Sequence, residues 1–190
     1  MFTETEKPPG LPIISRSRLE CLFDGIFAIA MTILVLDLKI PDLNHPNSVA
    51  ELGQALRHFA PVYGSYVLSF AVLGMFWYRH NQQFHHFQII TGKMLFFQMI
   101  QLALAASFPY CASLLGRYPG NPLCNVLYVG CAFIYFGAML GNWLVAKRCG
   151  ALKAEVSETD YLRIRKRLLR NGVFITCMFS YVLIRLWVQF

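Results

Sequence analysis

The sequence predicts an all-α, polytopic transmembrane helix bundle, and its composition supports this fold class in two ways. Of the 190 residues, 56% are apolar and only 14% are charged, whereas about 25% are charged in an average soluble domain. The charges are also clustered, so that residues 94–115 and 123–146 contain none. A soluble fold could not leave such long segments without charge at its surface. The composition therefore excludes a disordered tail, a small disulfide scaffold and a conventional nucleic-acid-binding domain.

Five segments are long and apolar enough for a membrane-spanning helix, which needs about 20 residues. They are residues 20–40, 59–78, 94–116, 123–146 and 172–190. If the five segments cross the membrane in turn, thirteen Lys and Arg residues lie on the same side as the N-terminus and three lie on the opposite side. Arg185 lies inside the last segment. By the positive-inside rule the N-terminus is cytoplasmic. The net charge of +7 thus indicates topology and attraction to lipid headgroups, not nucleic-acid binding.

These segments predict a single transmembrane domain over residues 1–190. Residues 1–17 are polar, show no cleavable signal pattern and are expected to form a cytoplasmic tail. Residues 147–171 hold eight of the basic side chains and are expected to form a basic cytoplasmic loop. Within that loop, the partly amphipathic stretch 157–170 predicts an interfacial helix that leads into the fifth span.

The first span carries a narrow aliphatic stripe. At about 100° per residue, one side of the helix presents Leu22, Gly25, Ile29, Ile33, Leu36 and Ile40. Thr32 flanks the stripe, and Asp24 lies on the far side of the helix. Any packed membrane helix shows such a row, but a pore lined by rings of branched aliphatic side chains would also need it. The residues alone leave both interpretations open.

Other candidate sites carry weaker signals. His80, His85 and His86 are expected in one cytoplasmic turn, and without Cys or carboxylates nearby a wetted loop is favoured over a metal site. We predict no bound metal and no cofactor. Gly137 and Gly141 form a GxxxG pattern in the fourth span, which is typical of a helix contact.

Acidic side chains near the outer end of the first span have two interpretations. Asp37 and Asp42 would raise the local cation concentration if they surround a pore mouth. Solvated charges at a helix end are the alternative, and the sequence does not decide between them.

The start of the first span resembles a known family. Residues 18–32 read RLECLFDGIFAIAMT and are similar to the opening of the first helix in the transmembrane protein 175 family, potassium channels of endosomes and lysosomes with shorter bacterial relatives. The family motif is an Arg, three residues, Phe-Ser-Asp and an apolar run containing Thr. Arg18, Asp24 and Thr32 match it. Leu22 and Phe23 depart from it, because Phe and Ser are usual there.

Two further segments extend the resemblance. Residues 76–81, FWYRHN, resemble the family's Trp and His at the end of the second helix, and residues 107–110, SFPY, resemble its Pro-containing third helix. The similarity covers roughly residues 16–135 and fades in the basic loop. The family has six helices in each unit, whereas the sequence shows five apolar segments, so five to six spans are expected per subunit.

The resemblance implies a homotetramer in a bacterial plasma membrane, with four copies of the first helix around a central ion path. Ile29, Ile33 and Leu36 would ring this pore, with Ile29 at its narrowest point. Thr32 would supply a polar layer linked to potassium preference. No carbonyl-lined pore loop is implied, and the sequence contains no TVGYG-like segment.

The resemblance also implies a structural polar network of Arg18, Asp24, Trp77 and His80 that ties the first helix to the second and third. A carboxylate within the membrane needs a partner, which agrees with this role for Asp24. The alternative is that Arg18 extends to the lipid headgroups and that His80 lies at the interface.

We therefore predict a potassium-selective cation channel with a hydrophobic constriction, and not an enzyme. Its partners would be potassium ions as the permeant species, membrane lipids and copies of the chain itself, without nucleic acid. A small multispan secondary transporter is the alternative. That alternative predicts polar or broken helices near the midplane, and the uncharged spans argue against it.

Overall fold

The computed structural model describes residues 15–187, except for the side chains of residues 174–176, 178–180 and 182–187. The described chain is all-helical, as predicted, and contains one short 3₁₀ turn, Leu34–Asp37, directly after the first helix. The six α-helices are α1 (Arg16–Ile33), α2 (Val49–His58), α3 (Ala60–His85), α4 (Gly92–Arg117), α5 (Pro122–Arg148) and α6 (Glu158–Trp187). Most of the predicted tail 1–17 lies outside the described residues.

Within residues 15–187, four helical segments are long and apolar enough to cross a membrane. They are α1 together with its 3₁₀ turn, α3, α4 and α5. The fifth predicted span coincides with α6 over residues 172–187, and most side chains of this stretch, including that of Arg185, are outside the described part. Residues 188–190 lie outside the described residues. α6 runs without interruption for 30 residues. The predicted interfacial segment 157–170 and the start of the fifth span therefore form one helix, and much of the expected basic loop is helical.

The helix starts follow from local sequence. A Ser, Thr or Asn side chain accepts a backbone N–H at the start of five helices, which satisfies a donor that the helix itself cannot pair. These caps are Ser15 for α1, Ser48 for α2, Thr91 for α4, Asn121 for α5 and Ser157 for α6. Pro122 follows Asn121 at the first helical position, where its missing N–H costs nothing.

The short helix α2 was not predicted from the sequence. None of its residues is buried, so no apolar segment marks it. Its Glu51 accepts the backbone N–H of Asn44 at 2.6 Å and of His45 at 3.0 Å. The first of these bonds is the main reason that the pKa of Glu51 lies below its usual value. The carboxylate thus holds the turn that leads from the 3₁₀ segment back toward the bundle.

Aromatic side chains fill the core between the long helices. Phe76 of α3 stacks on Tyr135 of α5 with ring centroids 4.1 Å apart, and Phe108 of α4 meets Phe76 edge-on. Trp143 of α5 stacks on Tyr161 of α6. Among the long helices, α4 has the most neighbours, because it packs against α1, α3 and α5, and α5 packs in turn against α6. α1 packs against α3 and α4 at one side of the bundle.

Only one glycine of the GxxxG pattern mediates a close helix contact within the chain. A Cβ added at Gly141 would lie 2.6 Å from Cε1 of Phe97 on α4, whereas a Cβ at Gly137 would meet nothing within 4 Å. The pattern thus marks a contact between α5 and α4.

We expect Gly141→Ala to destabilise the subunit by about 1 kcal/mol or more, because the added methyl group overpacks the contact with Phe97. Gly137→Ala is the matched control and should leave stability unchanged or slightly raised. The measurement is thermal unfolding of the purified protein in detergent. Phe97→Leu should partly restore the Gly141→Ala variant. Equal stability of the two Ala variants would show that this contact does not limit packing.

Candidate ion pathway and polar contacts of the first helix

Two faces of α1 have opposite environments. The face toward the bundle carries buried side chains at helical spacing: Leu19, Phe23, Phe27, Ala30 and, in the 3₁₀ turn, Leu34. The other face carries the aliphatic stripe. There the exposed fractions are 59% for Ile29, 45% for Ile33 and 78% for Leu36. The stripe is therefore not the core-packing face of α1, and one copy of the chain leaves it uncovered.

Thr32 lies on the exposed part of α1 beside the stripe. Its hydroxyl is 2.9 Å from the carbonyl oxygens of both Ala28 and Ile29, one turn back in the same helix. The single hydroxyl proton is used in this local contact. The lone pairs of the oxygen then remain available, which suits a cation or a water molecule better than an anion.

One pair of the predicted polar network is in contact. Trp77 Nε1 of α3 donates a hydrogen bond of 2.8 Å to Asp24 Oδ1 of α1. Both side chains are exposed at the edge of the bundle. The bond joins two membrane-spanning helices at a position that is outside the aliphatic stripe.

His80 has different surroundings from those expected. α3 continues to His85, so His80 is not in a cytoplasmic turn but inside the bundle, 1% exposed. Its ring stacks on Phe23 of α1, with centroids 3.5 Å apart, and contacts Phe84. Neither ring nitrogen has a hydrogen-bond partner in the described part of the chain. Phe23, which stands where the family motif has Ser, thus offers His80 a ring contact and no hydrogen-bonding group.

Arg18 does not reach the other network residues. Its side chain is exposed, whereas Arg16, two residues earlier, is half-buried and well connected. Arg16 pairs with Glu20 at 2.8 Å and donates to the carbonyl of Phe87 at 3.1 Å. Arg16 thereby ties the start of α1 to the segment after α3. The i,i+4 spacing of Arg16 and Glu20 is the sequence signal that could have indicated this pair.

Asp37 is bound within the subunit. Ser113 Oγ donates to Asp37 Oδ1 at 3.1 Å, and Arg117 Nη2 lies 3.2 Å from the same oxygen. Both partners belong to α4, so the pair attaches the 3₁₀ turn to the bundle. The Arg117 charge offsets that of Asp37, which weakens any attraction of Asp37 for cations.

Buried amides form a feature that the sequence analysis missed. Gln98 and Gln101 of α4 and Asn142 of α5 are fully buried, and their side-chain N and O atoms have no partner among the described residues. Gln83 of α3 donates to the carbonyl of Met139 at 2.8 Å. These amides carry no charge, so a search for charged residues within the apolar segments did not reveal them. Among residues 15–187, no three His, Cys, Asp or Glu side chains gather as a metal site would require.

The sequence model of a family described as endosomal/lysosomal potassium channel TMEM175 matches residues 18–109. A potassium channel of Streptomyces collinus is 36% identical over 101 residues, which cover 53% of this chain and 48% of the relative. A potassium channel of Chamaesiphon minutus is 28% identical over 90% of this chain and 86% of its own length. The rat endosomal/lysosomal proton channel TMEM175 is 31% identical over 66% of this chain. The match spans about half of the Streptomyces relative and 27% of the rat relative.

Two solved structures share the fold. The crystal structure of a lysosomal potassium-selective channel TMEM175 homologue from Chamaesiphon minutus superposes with a TM-score of 0.77 at 22% identity, covering 91% of this chain and 89% of that one. A variant of the potassium channel MtTMEM175, bound to a nanobody–MBP fusion, superposes with a TM-score of 0.59 at 18% identity, covering 96% and 84%.

Proposed function

The chain belongs to the transmembrane protein 175 family, and we propose that it forms a potassium-selective channel whose pore is lined by the first helix of four copies. It is an integral, multi-pass membrane protein. The relatives reported above are named as ion channels and none as an enzyme. The tetramer, the pore lining and the potassium selectivity are the steps that go beyond family membership.

The observation that carries the proposal is the uncovered aliphatic face of α1. α1 packs in its own subunit through Leu19, Phe23, Phe27 and Ala30, which leaves the stripe free to meet its copies around an axis. Ile29, Ile33 and Leu36 would then form successive rings, and Thr32 would add hydroxyl oxygens beside them. Across the end of α1 and its 3₁₀ turn, these rings span about 12 Å.

Such rings would act as a gate. Aliphatic side chains offer an ion no ligand, so a narrow ring of them loses its water and blocks conduction. Conduction requires that the ring widens enough for the ion to pass with part of its hydration shell. The Thr32 oxygens would replace some of the lost water, and this polar layer is where we place the preference for potassium.

The contacts at the edge of α1 suit a positioning role. Three sets of contacts hold the first helix in place. The Arg16 contacts hold its start, and the hydrogen bond between Asp24 and Trp77 holds its middle. The pair of Asp37 with Arg117 holds the 3₁₀ turn at its end. None of them involves the stripe. We infer that they set the rotation of α1 so that the stripe, and not another face, points at the axis.

A flux assay tests the proposed activity. We expect the protein in proteoliposomes to dissipate a potassium gradient rapidly, without saturation at high potassium, and to pass sodium more slowly. A secondary transporter would show saturation and a turnover limited by its conformational cycle. The buried amides Gln98, Gln101 and Asn142 are the polar interior that a transporter would require. Saturable flux that Gln98→Leu abolishes would therefore favour the transporter and contradict the channel.

A further inference from the structure

Two cavities meet at the side chain of Arg79. One, of about 390 Å³, lies between the end of α3 and the first half of α6, and its lining includes Arg79, Gln83, His86 and Arg167. The other is a cleft of about 640 Å³ with α3 and α5 as its walls, lined mostly by apolar side chains such as Val72, Val129 and Ala132. Arg79 and Arg170 border the cleft at its end nearest the first cavity.

The cleft is long enough for an acyl chain. On α3 its lining runs from Leu68 to Arg79, which corresponds to about 16 Å along a helix, and it also includes Leu115 near the end of α4 and Asn125 near the start of α5. Half of a typical hydrocarbon core is about 15 Å. The apolar lining is thus at least as long as one leaflet is deep.

The arginines at this end lack anionic partners. No carboxylate pairs with Arg79, Arg167 or Arg170 in the described part of the chain, and Nε of the half-buried Arg79 has no hydrogen-bond partner there. Two other basic side chains nearby are paired, Lys147 with Glu158 and Arg163 with Asp160. Unpaired cations that gather at the edge of a membrane core attract an anion.

Two histidines, His85 and His86, line the first cavity beside the guanidinium groups. Partial burial is the main reason that the pKa of His86 lies below its usual value, and neighbouring positive charges act in the same direction. The permanent positive charge of the site therefore comes from the guanidinium groups. Guanidinium groups bind phosphate oxygens with paired, charge-assisted hydrogen bonds.

We propose that an anionic phospholipid binds here, with its phosphate against Arg79, Arg167 and Arg170 and one acyl chain in the cleft between α3 and α5. The continuity between a basic end and an apolar cleft long enough for an acyl chain selects a lipid over a soluble phosphate. The inference rests on the membrane placement in the proposed function but not on ion conduction, since none of these residues belongs to α1.

Native mass spectrometry of the full chain in mild detergent tests the headgroup end. We expect saturable binding of phosphatidylglycerol, about tenfold tighter than that of phosphatidylcholine. The triple variant Arg79→Gln, Arg167→Gln and Arg170→Gln should lose this preference. The matched control removes three charges elsewhere, with Arg148→Gln, Arg165→Gln and Lys166→Gln, and should keep it. Circular dichroism and gel filtration verify that both variants fold.

A second pair of variants tests the acyl end. Val129→Trp fills the cleft and should weaken phosphatidylglycerol binding several-fold while every arginine remains. Leu127→Trp places the same bulk on an exposed position of α5 that does not line the cleft, and should have no effect. Equal binding in the two variants would overturn the proposal, as would equal losses in the two charge variants.

Two further measurements separate this inference from the proposed function. Glycerol 3-phosphate should compete poorly with the lipid, and effective competition would contradict the role of the cleft. Potassium flux is recorded on the same preparations. Lipid binding in a wild-type protein that conducts no potassium would remove the channel proposal and leave the lipid site. Potassium flux that persists without selective lipid binding would remove the lipid site and leave the channel proposal.

Discussion

Ile29→Asn is expected to raise potassium flux about tenfold, because a polar ring at the narrowest point holds water where Ile excludes it. A tenfold change corresponds to a barrier lower by about 1.4 kcal/mol, a modest amount for one substitution repeated four times around an axis. Ile29 is exposed in the single subunit, so the change costs the subunit core nothing. In the proposed tetramer its side chain faces the ion path and not a neighbouring helix, so assembly should remain intact.

Currents in planar bilayers and light scattering of the purified oligomer provide the measurements. Ile134→Asn is the matched control, since Ile134 is also an exposed Ile but belongs to α5 and not to the proposed pore helix. Its currents should equal those of the wild type. If Ile29→Asn also leaves the currents unchanged while the oligomer persists, the pore is not lined by this stripe. Enhanced flux from the Ile134 variant would show that the effect is nonspecific leakage.

Asp24→Ala is expected to lower the fraction of assembled oligomer about fivefold, which corresponds to about 1 kcal/mol for a hydrogen bond between membrane helices. The variant leaves Trp77 Nε1 without the acceptor that it has at 2.8 Å. α1 then loses a tie to α3, and its stripe is no longer held in one rotation toward the other copies. The measurement is the ratio of oligomer to monomer in detergent across protein concentrations.

Further variants separate the hydrogen bond from the charge. Asp24→Asn keeps an acceptor oxygen and should assemble more completely than Asp24→Ala. Trp77→Phe removes the donor and should match Asp24→Ala, and the double variant should be no worse than either single one, because the same bond is lost. Asp42→Ala, at an exposed Asp outside the four spans, controls for loss of a carboxylate. Additive losses would show that Asp24 and Trp77 act independently.

The sequence indicated the helices better than their contacts. Apolar segments predicted where the long helices lie, because burial patterns are a local property of the chain. Cap residues such as Thr91 and Asn121, which the sequence analysis did not use, set where two of these helices start. α2 escaped prediction since its side chains are solvent-exposed. The sequence did not predict that α6 is uninterrupted. The basic, amphipathic stretch 157–170 and the apolar span after it have different hydropathy patterns, although both are helical.

The polar contacts of α1 illustrate the limit of motif reasoning. The motif named Arg18, Asp24, Trp77 and His80, and the structure brings only Asp24 and Trp77 into a hydrogen bond. Arg18 is exposed, while Arg16, which no motif marked, makes the contacts. A shift of two residues rotates a helical side chain by about 200°. The choice between two nearby arginines therefore depended on which one faced the segment after α3.

By itself the sequence determined that this protein is a bundle of membrane helices and that α1 carries an aliphatic stripe, because hydropathy and helical periodicity are properties of one segment at a time. Only the tertiary structure decided which face of α1 is buried and which is exposed, because the buried face is set by contacts with other helices. Phe23 contacts His80 of α3, and Phe27 contacts Tyr135 of α5. The same packing placed Arg79, Arg167 and Arg170 at one site. Residues that are far apart in the chain share a site only after the helices have packed.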